Sequence, residues 1–241
     1  MKLFFELYED TPRQGPGSAA TTRRALGLLP DTLQIDRVLD LGCGTGASTV
    51  VLAEETGARI TAVDIHPPFL ETLRAEAEKR GIGDRVTTVA GNMADAASQG
   101  ADFDLIWAEG SAYSIGFENA LRTWRPLLRP GGCLVVTELA WFVAEPAEEA
   151  RAFFANEYPD MKDEATRLDQ ARSLGYEVVN SFRLPPEDWQ AYYAGLIAAV
   201  EQATVQHGEL DIYAASRREA EIYETHGGAY GYMGLVLRAP A

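Results

Sequence analysis

Two short stretches hold residues whose types and spacing can do chemistry. In Val38-Leu39-Asp40-Leu41-Gly42-Cys43-Gly44-Thr45-Gly46 an apolar strand runs straight into a glycine turn. Such a turn lets backbone pack against a ligand, and a helix that follows it aims its first N–H groups into the crevice. Eighteen residues after Gly46, Ala62-Val63-Asp64 ends a second strand on a carboxylate, which can accept both hydroxyls of a ribose. Together the two stretches predict a nucleoside-containing cofactor at the carboxyl ends of the first two strands. The third glycine of the dinucleotide fingerprint would fall at position 47, where the chain has Ala47, a replacement that the looser fingerprint tolerates. Asp40 argues against a pyrophosphate, because two unit charges ~4 Å apart cost about 4 kcal/mol at an effective dielectric of 20. It suits a cationic ligand, such as one bearing an α-amino group.

With Asp40 included, the run Asp40-Leu41-Gly42-Cys43-Gly44-Thr45-Gly46 resembles the glycine motif of the class I S-adenosylmethionine-dependent methyltransferases. The resemblance extends over about residues 37–138. Phe103-Asp104-Leu105-Ile106, followed by Leu127-Leu128-Arg129-Pro130-Gly131-Gly132, is similar to that family's fourth strand, its helix and the entry to its fifth strand. It implies S-adenosylmethionine as cofactor, with Asp40, Gly42, Cys43, Gly44 and Gly46 at the methionine end, Asp64 on the ribose and Ile65 beside the adenine. After the third strand the family usually has Gly-Asp, whose carboxylate takes the adenine amino group. Here Gly91-Asn92-Met93 stands in its place, and Asn92 can accept that bond through its amide oxygen without charge assistance, with Met93 beside it.

Further candidates lie past the later strands. Glu109 and Glu138 follow the fourth and fifth strands, where ligands bind in open parallel sheets. With Tyr113 and Trp141 they are the substrate-pocket candidates; no general base is named. Two carboxylates there, on a chain of net charge −15, predict a neutral or cationic methyl acceptor. Cys43 reads as a packing residue, since no histidine is near it in sequence. His66, His207 and His226 lack metal-ligand spacing to one another, so no metal is expected. Tyr158 and Lys162 match the Tyr-x-x-x-Lys of short-chain dehydrogenases by letter, but Pro159 spoils the helical turn that would align them. Two rival functions remain, an NAD-dependent oxidoreductase and a non-catalytic cofactor-binding partner of another protein.

Positioning these residues requires a parallel sheet. Short apolar runs at Arg37–Leu41, 59–63, 85–90, 104–108 and 133–138 alternate with helix-period segments at Ala47–Thr56, 68–80 and 117–128, the pattern of βαβ units. Gly131-Gly132 after Pro130 reads as a turn into a buried strand. Before the first strand, Thr11 to Ser18 is a turn-rich loop, and Ser18 caps a helix expected to run to about Leu28. Beyond Glu138 the pattern predicts helices at 146–157 and 163–174, a strand at 176–183, a helical insertion about 186–226 and a last strand at Tyr230–Arg238. Trp189, Tyr192, Tyr193, Leu196, Ile197 and Val200 form one apolar face of that insertion, read mainly as core. The expectation is a Rossmann-like α/β fold: seven mostly parallel strands with helices on both faces, the last strand antiparallel. It forms one domain over 1–241, with an N-terminal loop-and-helix lid (1–36), a cofactor-binding core (37–138) and a C-terminal half (139–241).

Composition narrows the partners. Of 241 residues, 36 are Asp or Glu and 21 Lys or Arg, a balance that repels a phosphate backbone and excludes nucleic acid as a partner. The longest unbroken apolar run is Leu139 to Ala144, far short of the ~20 residues that span a bilayer. The start, Met1-Lys2-Leu3-Phe4-Phe5, turns acidic at Glu6, Glu9 and Asp10, unlike a signal peptide. Two cysteines, Cys43 and Cys133, are no disulfide framework. A cytoplasmic protein acting on a small molecule is expected; oligomeric state is not readable.

Overall fold

The computed structural model describes residues 2–9 and 11–240, without the side chains of residues 2–4, so Met1, Asp10 and Ala241 lie outside it, and with them part of the N-terminal run considered above. Two helices, α1 (Lys2–Tyr8) and α2 (Ala19–Leu26), precede β1 (Arg37–Leu41). There follow α3 (Ala47–Thr56), β2 (Arg59–Asp64), α4 (Pro67–Lys79), β3 (Val86–Ala90), β4 (Phe103–Ala108), α5 (Phe117–Trp124) and β5 (Leu128–Trp141). The C-terminal half comprises α6 (Glu148–Glu157), β6 (Lys162–Asp163), α7 (Glu164–Ser173), β7 (Glu177–Arg183), α8 (Pro186–His207), α9 (Asp211–His226) and β8 (Tyr230–Arg238).

The strands lie in the order β3-β2-β1-β4-β5-β8-β7, with the two-residue β6 added beside β5. All pairs are parallel except those of β8, which runs antiparallel to both β5 and β7. Alternation along each strand sends side chains to two cores. Leu39, Leu41, Ile106, Leu134 and Val136 face Phe117, Leu121 and Trp124 of α5. Val38, Leu105, Trp107 and Val135 face Leu52 of α3 and Leu70 and Leu73 of α4. The order reverses between β1 and β4, and the crevice that opens there is where open α/β sheets take ligands.

Local chemistry explains where elements start and stop. Ser18 Oγ accepts from the Thr21 backbone N–H at 3.1 Å and caps α2, as expected. The helix from Phe117 stops at Trp124 rather than 128, because Pro126 has no N–H to continue the helical hydrogen bonds, and residues Arg125–Leu127 tighten into a 3₁₀ turn. The Pro130-Gly131-Gly132 turn is held inside a fourteen-residue β5 as a bulge. Its pairing with β4 jumps from Phe103↔Leu128 to Leu105↔Cys133, and Gly131 sits at φ +73°. Neither α1 nor β6 carries a sequence signal. The former exists through its packing: Leu7 and Tyr8 join Phe69, Trp189, Tyr193, Leu196 and Val200 in a third cluster. This places the apolar face of α8 in the core, on top of the crevice. Among the described residues no helix is long and apolar enough to cross a membrane.

Candidate active site

At the end of β1 the chain turns on Gly42, Gly44 and Gly46, with φ +74°, +55° and +84°. All three positions are strained and crowded for a side chain, Gly46 by Leu73 Cδ1 at 2.1 Å from an added Cβ. A Cβ on Gly42 would stand 2.4 Å from Ser111 Cβ, and one on Gly44 2.2 Å from Gln14 Oε1. Ser111, just past β4, fixes the turn from the other side by donating its hydroxyl to Leu41 O at 2.7 Å. Asp64, at the end of β2, ties two turns together: Oδ2 accepts from Gly44 N at 2.8 Å and Oδ1 from His66 N at 2.9 Å. Burial raises its carboxyl above the ordinary range, and the His66 and Gly44 N–H groups oppose that rise.

Between these turns lies a cavity of about 270 Å³. It is lined by Gly42, Cys43, Gly44, Asp64, Ile65 and Met93 from the cofactor candidates and by Glu109 and Tyr113 from the substrate candidates. Ile65 presents its side chain to the opening and is 58% exposed, an apolar surface with no packing role. Cys43 is buried and its thiol is pushed well up by burial, with Asp40 and Asp64 adding to the rise, so it offers no thiolate nucleophile. Gly46 starts α3 and packs on Leu73 outside this cavity.

Asp40, Asn92 and Trp141, like Gly46, line no part of this cavity. Asp40 is 1% exposed behind the turn, where Oδ2 accepts from Thr49 at 2.6 Å and Ser48 at 3.4 Å. Burial pushes its carboxyl up to about 7, against those hydrogen bonds, with Glu109 and Asp64 adding to the rise. Asn92 is exposed and lines no part of the cavity; Oδ1 is taken by Ala94 N at 2.9 Å, because the residue caps the 3₁₀ turn Met93–Gln99. Trp141 packs edge-on against Phe154 and Tyr230, away from the crevice.

The two glutamates prove to be committed to arginines. Glu109 Oε2 accepts from Arg13 at 2.7 Å, while Oε1 accepts from Thr22 at 2.7 Å and from Trp107 Nε1 at 2.9 Å. It therefore clips the N-terminal segment onto the end of β4. Glu138 lies within β5, not past its end, and is 1% exposed; it pairs with the fully buried Arg167 at 3.3 Å and accepts from the Tyr158 hydroxyl. Burial raises its carboxyl to about 7, Arg167 and Tyr158 pulling the other way. Each of these two carboxylates, on which the polarity expectation rests, thus has an arginine partner.

The segment before α2 closes over the turn. Gln14 Oε1 accepts from Thr45 N at 3.0 Å, while its amide group donates to Thr11 O at 3.1 Å. Phe5 stacks on His66 at 4.5 Å, and Glu9 Oε1 meets His66 Nε2 at 2.7 Å. Gln14, Gly15 and Pro16, with Tyr8, Gly110 and Tyr113, also line a second chamber of about 230 Å³. That chamber is walled by Phe153, Tyr158, Trp189, Tyr192 and Tyr232 and carries Glu157 and Glu219. Gln14 to Pro16 belong to the stretch read as a lid. Glu157 and Glu219 had no sequence signal, since distant helices bring them together. Tyr158 ends α6 and Lys162 lies in β6, so no single helical turn joins them. Among the described residues no group of His, Cys, Asp and Glu could hold a metal ion.

Comparison with known proteins agrees with this arrangement. A family model described as a methyltransferase domain matches residues 38–132. A probable cobalt-precorrin-6B C(15)-methyltransferase (decarboxylating) of Methanothermobacter thermautotrophicus is 32% identical over 125 residues, 52% of this chain and 64% of that protein; the match thus spans less than two thirds of that relative. YjhP of Escherichia coli is 28% identical over 213 residues, 84% of this chain and 81% of its own. A SAM-dependent methyltransferase of Thiobacillus denitrificans, solved with S-adenosyl-L-homocysteine, shares the fold with a TM-score of 0.82 at 24% identity, over 99% of this chain and 98% of that one. The glycine turn, the sheet order and the matched model lead to one assignment: residues 38–132 are a methyltransferase domain, set in a fold that matches the class I S-adenosylmethionine-dependent methyltransferases.

Proposed function

We propose that this protein transfers the methyl group of S-adenosylmethionine to a small, soluble, neutral or cationic acceptor in the cytoplasm. One observation carries the reading: the cavity at the glycine turn and the aromatic chamber share Tyr8, Gln14, Gly15, Pro16, Gly110 and Tyr113, so ligands in the two would meet end to end. The residues present fit the cofactor. Left-handed glycines bring bare backbone to the crevice, Asp64 keeps a lone pair on each oxygen for ribose hydroxyls, and Ile65 offers an apolar surface to a base. Asp40, buried behind Gly42 and outside the lining of this cavity, supports the turn from behind by accepting from Thr49 and Ser48.

When bound, S-adenosylmethionine supplies a sulfonium methyl, which the acceptor's lone pair takes as the carbon–sulfur bond breaks, the electron pair staying on sulfur and any acceptor proton leaving. The donor is already activated, so the chain's work is alignment and exclusion of water, worth up to ~7–11 kcal/mol in favourable cases. Residues 1–36 serve as the lid, clipped by Arg13 to Glu109 and by Gln14 to Thr45. Incubation with methyl-labelled cofactor and a panel of amines, phenols and carboxylates tests the reading. Label should pass to neutral or cationic acceptors; efficient methylation of a carboxylate-bearing one would overturn the stated polarity.

A further inference from the structure

The aromatic chamber has a charge asymmetry. Glu157 at the end of α6 and Glu219 on α9 line it, while among the described residues no Lys, Arg or His does. Glu157 sits at the exposed rim and Glu219 is half-buried within. The Tyr193 hydroxyl donates to Glu219 Oε1 at 3.0 Å, and among the described residues Glu219 makes no ion pair, unlike Glu109 and Glu138. Burial raises the Glu219 carboxyl, with Glu157 adding to the rise against the Tyr193 bond. Its influence crosses the chamber: burial raises the hydroxyls of Tyr113, Tyr192, Tyr193 and Tyr232, and the charge on Glu219 raises all four further. A chamber built this way lacks one component, a cation.

We propose that the methyl acceptor is a small bifunctional organic cation, with an ammonium group seated against Glu219, its body on the surrounding rings and its methyl-accepting atom at the opposite end, toward Gly110 and Tyr113. The assignment rests on the reading of the adjoining cavity as the cofactor's. Aromatic faces attract cations, and most strongly where water is excluded. The two ends must be separate. An amine held by a carboxylate stays protonated and has no lone pair to attack with. A carboxylate against the sulfonium would stabilise the ground state more than the charge-dispersed transition state. Glu157 and Glu219 satisfy both conditions, because they line the chamber alone and neither lines the cavity at the glycine turn. The chamber volume of about 230 Å³ lies below the ~300–1,000 Å³ of drug-sized ligand sites, so the acceptor is small.

Three phenols of one shape and different charge test this: tyramine (positive), para-ethylphenol (neutral) and para-hydroxyphenylacetate (negative). Each is titrated calorimetrically into the full chain, with and without S-adenosylhomocysteine. Tyramine should bind about tenfold tighter than para-ethylphenol, with para-hydroxyphenylacetate weakest. Glu219→Gln should bring tyramine level with para-ethylphenol while affinity for S-adenosylhomocysteine holds. Should that variant not fold, Glu157→Gln at the rim should cut the tyramine preference roughly threefold, the smaller effect expected of a more solvated charge. No preference for tyramine, no binding of any of the three, or a preference that survives Glu219→Gln would overturn the proposal. Failure of S-adenosylhomocysteine to bind, with the tyramine preference intact, would instead overturn the cofactor reading and leave the cation site standing.

Discussion

At the scale of single residues, Asp40 shows what burial does to a carboxylate. Its folded pKa of about 7 lies above the ordinary value of 3.8, so the folded state holds a proton that the unfolded chain releases. The associated stability is full below the ordinary carboxylate range and is lost as pH rises towards 7. Urea unfolding of wild type and Asp40→Asn from pH 4.5 to 8 isolates this contribution. The wild type should lose stability relative to the variant across that range, by about 3 kcal/mol; a difference independent of pH would contradict the shift. The same scale shows why some residues were legible in sequence and others were not. Gly42, Gly44 and Asp64 are local features, a turn and a strand end, and they sit where their spacing puts them. Asn92 and Trp141 depended on rotamer and neighbours: one caps its own 3₁₀ turn and the other packs into an aromatic cluster. Glu219 faces rings from four separate elements, a juxtaposition that only the folded chain creates.

Elements are held to the sheet by two carboxylate–arginine pairs of different character. Arg13–Glu109 clips the segment before α2 to β4, with side chains 18% and 10% exposed. If that segment is the lid, Arg13→Ala should speed release of S-adenosylhomocysteine roughly tenfold, the effect of losing a charge-assisted hydrogen bond of ~1.5–3 kcal/mol. Stopped-flow displacement measures it, and an unaltered off-rate rejects the lid. Arg167–Glu138 instead lies wholly inside, joining α7 to β5 and Tyr158. Glu138→Gln leaves the buried guanidinium with only the half-exposed Asp160 carboxylate, at 3.4 Å, and should cost up to about 3–5 kcal/mol. The double variant Glu138→Leu with Arg167→Leu should recover most of that loss in thermal unfolding, since the charge to be compensated is gone. The alternation of strands and helices made the sheet readable in advance. The helix α1 and the bulge in β5 were not, because tertiary packing creates the first and cross-strand register the second.

For the whole molecule, an open sheet whose order reverses between β1 and β4 gathers the glycine turn, Asp64 and the chamber at one edge. The net charge of −15 disfavours anionic acceptors approaching that edge. The central claim is that the cavity at the glycine turn binds S-adenosylmethionine through Asp64. Calorimetric titration of S-adenosylhomocysteine into the wild type and into folded Asp64→Ala tests it most directly. Saturable binding by the wild type, weakened roughly tenfold to a hundredfold in the variant by loss of charge-assisted hydrogen bonds, is the predicted result. No binding by the wild type, or equal affinity in the two proteins, would contradict it.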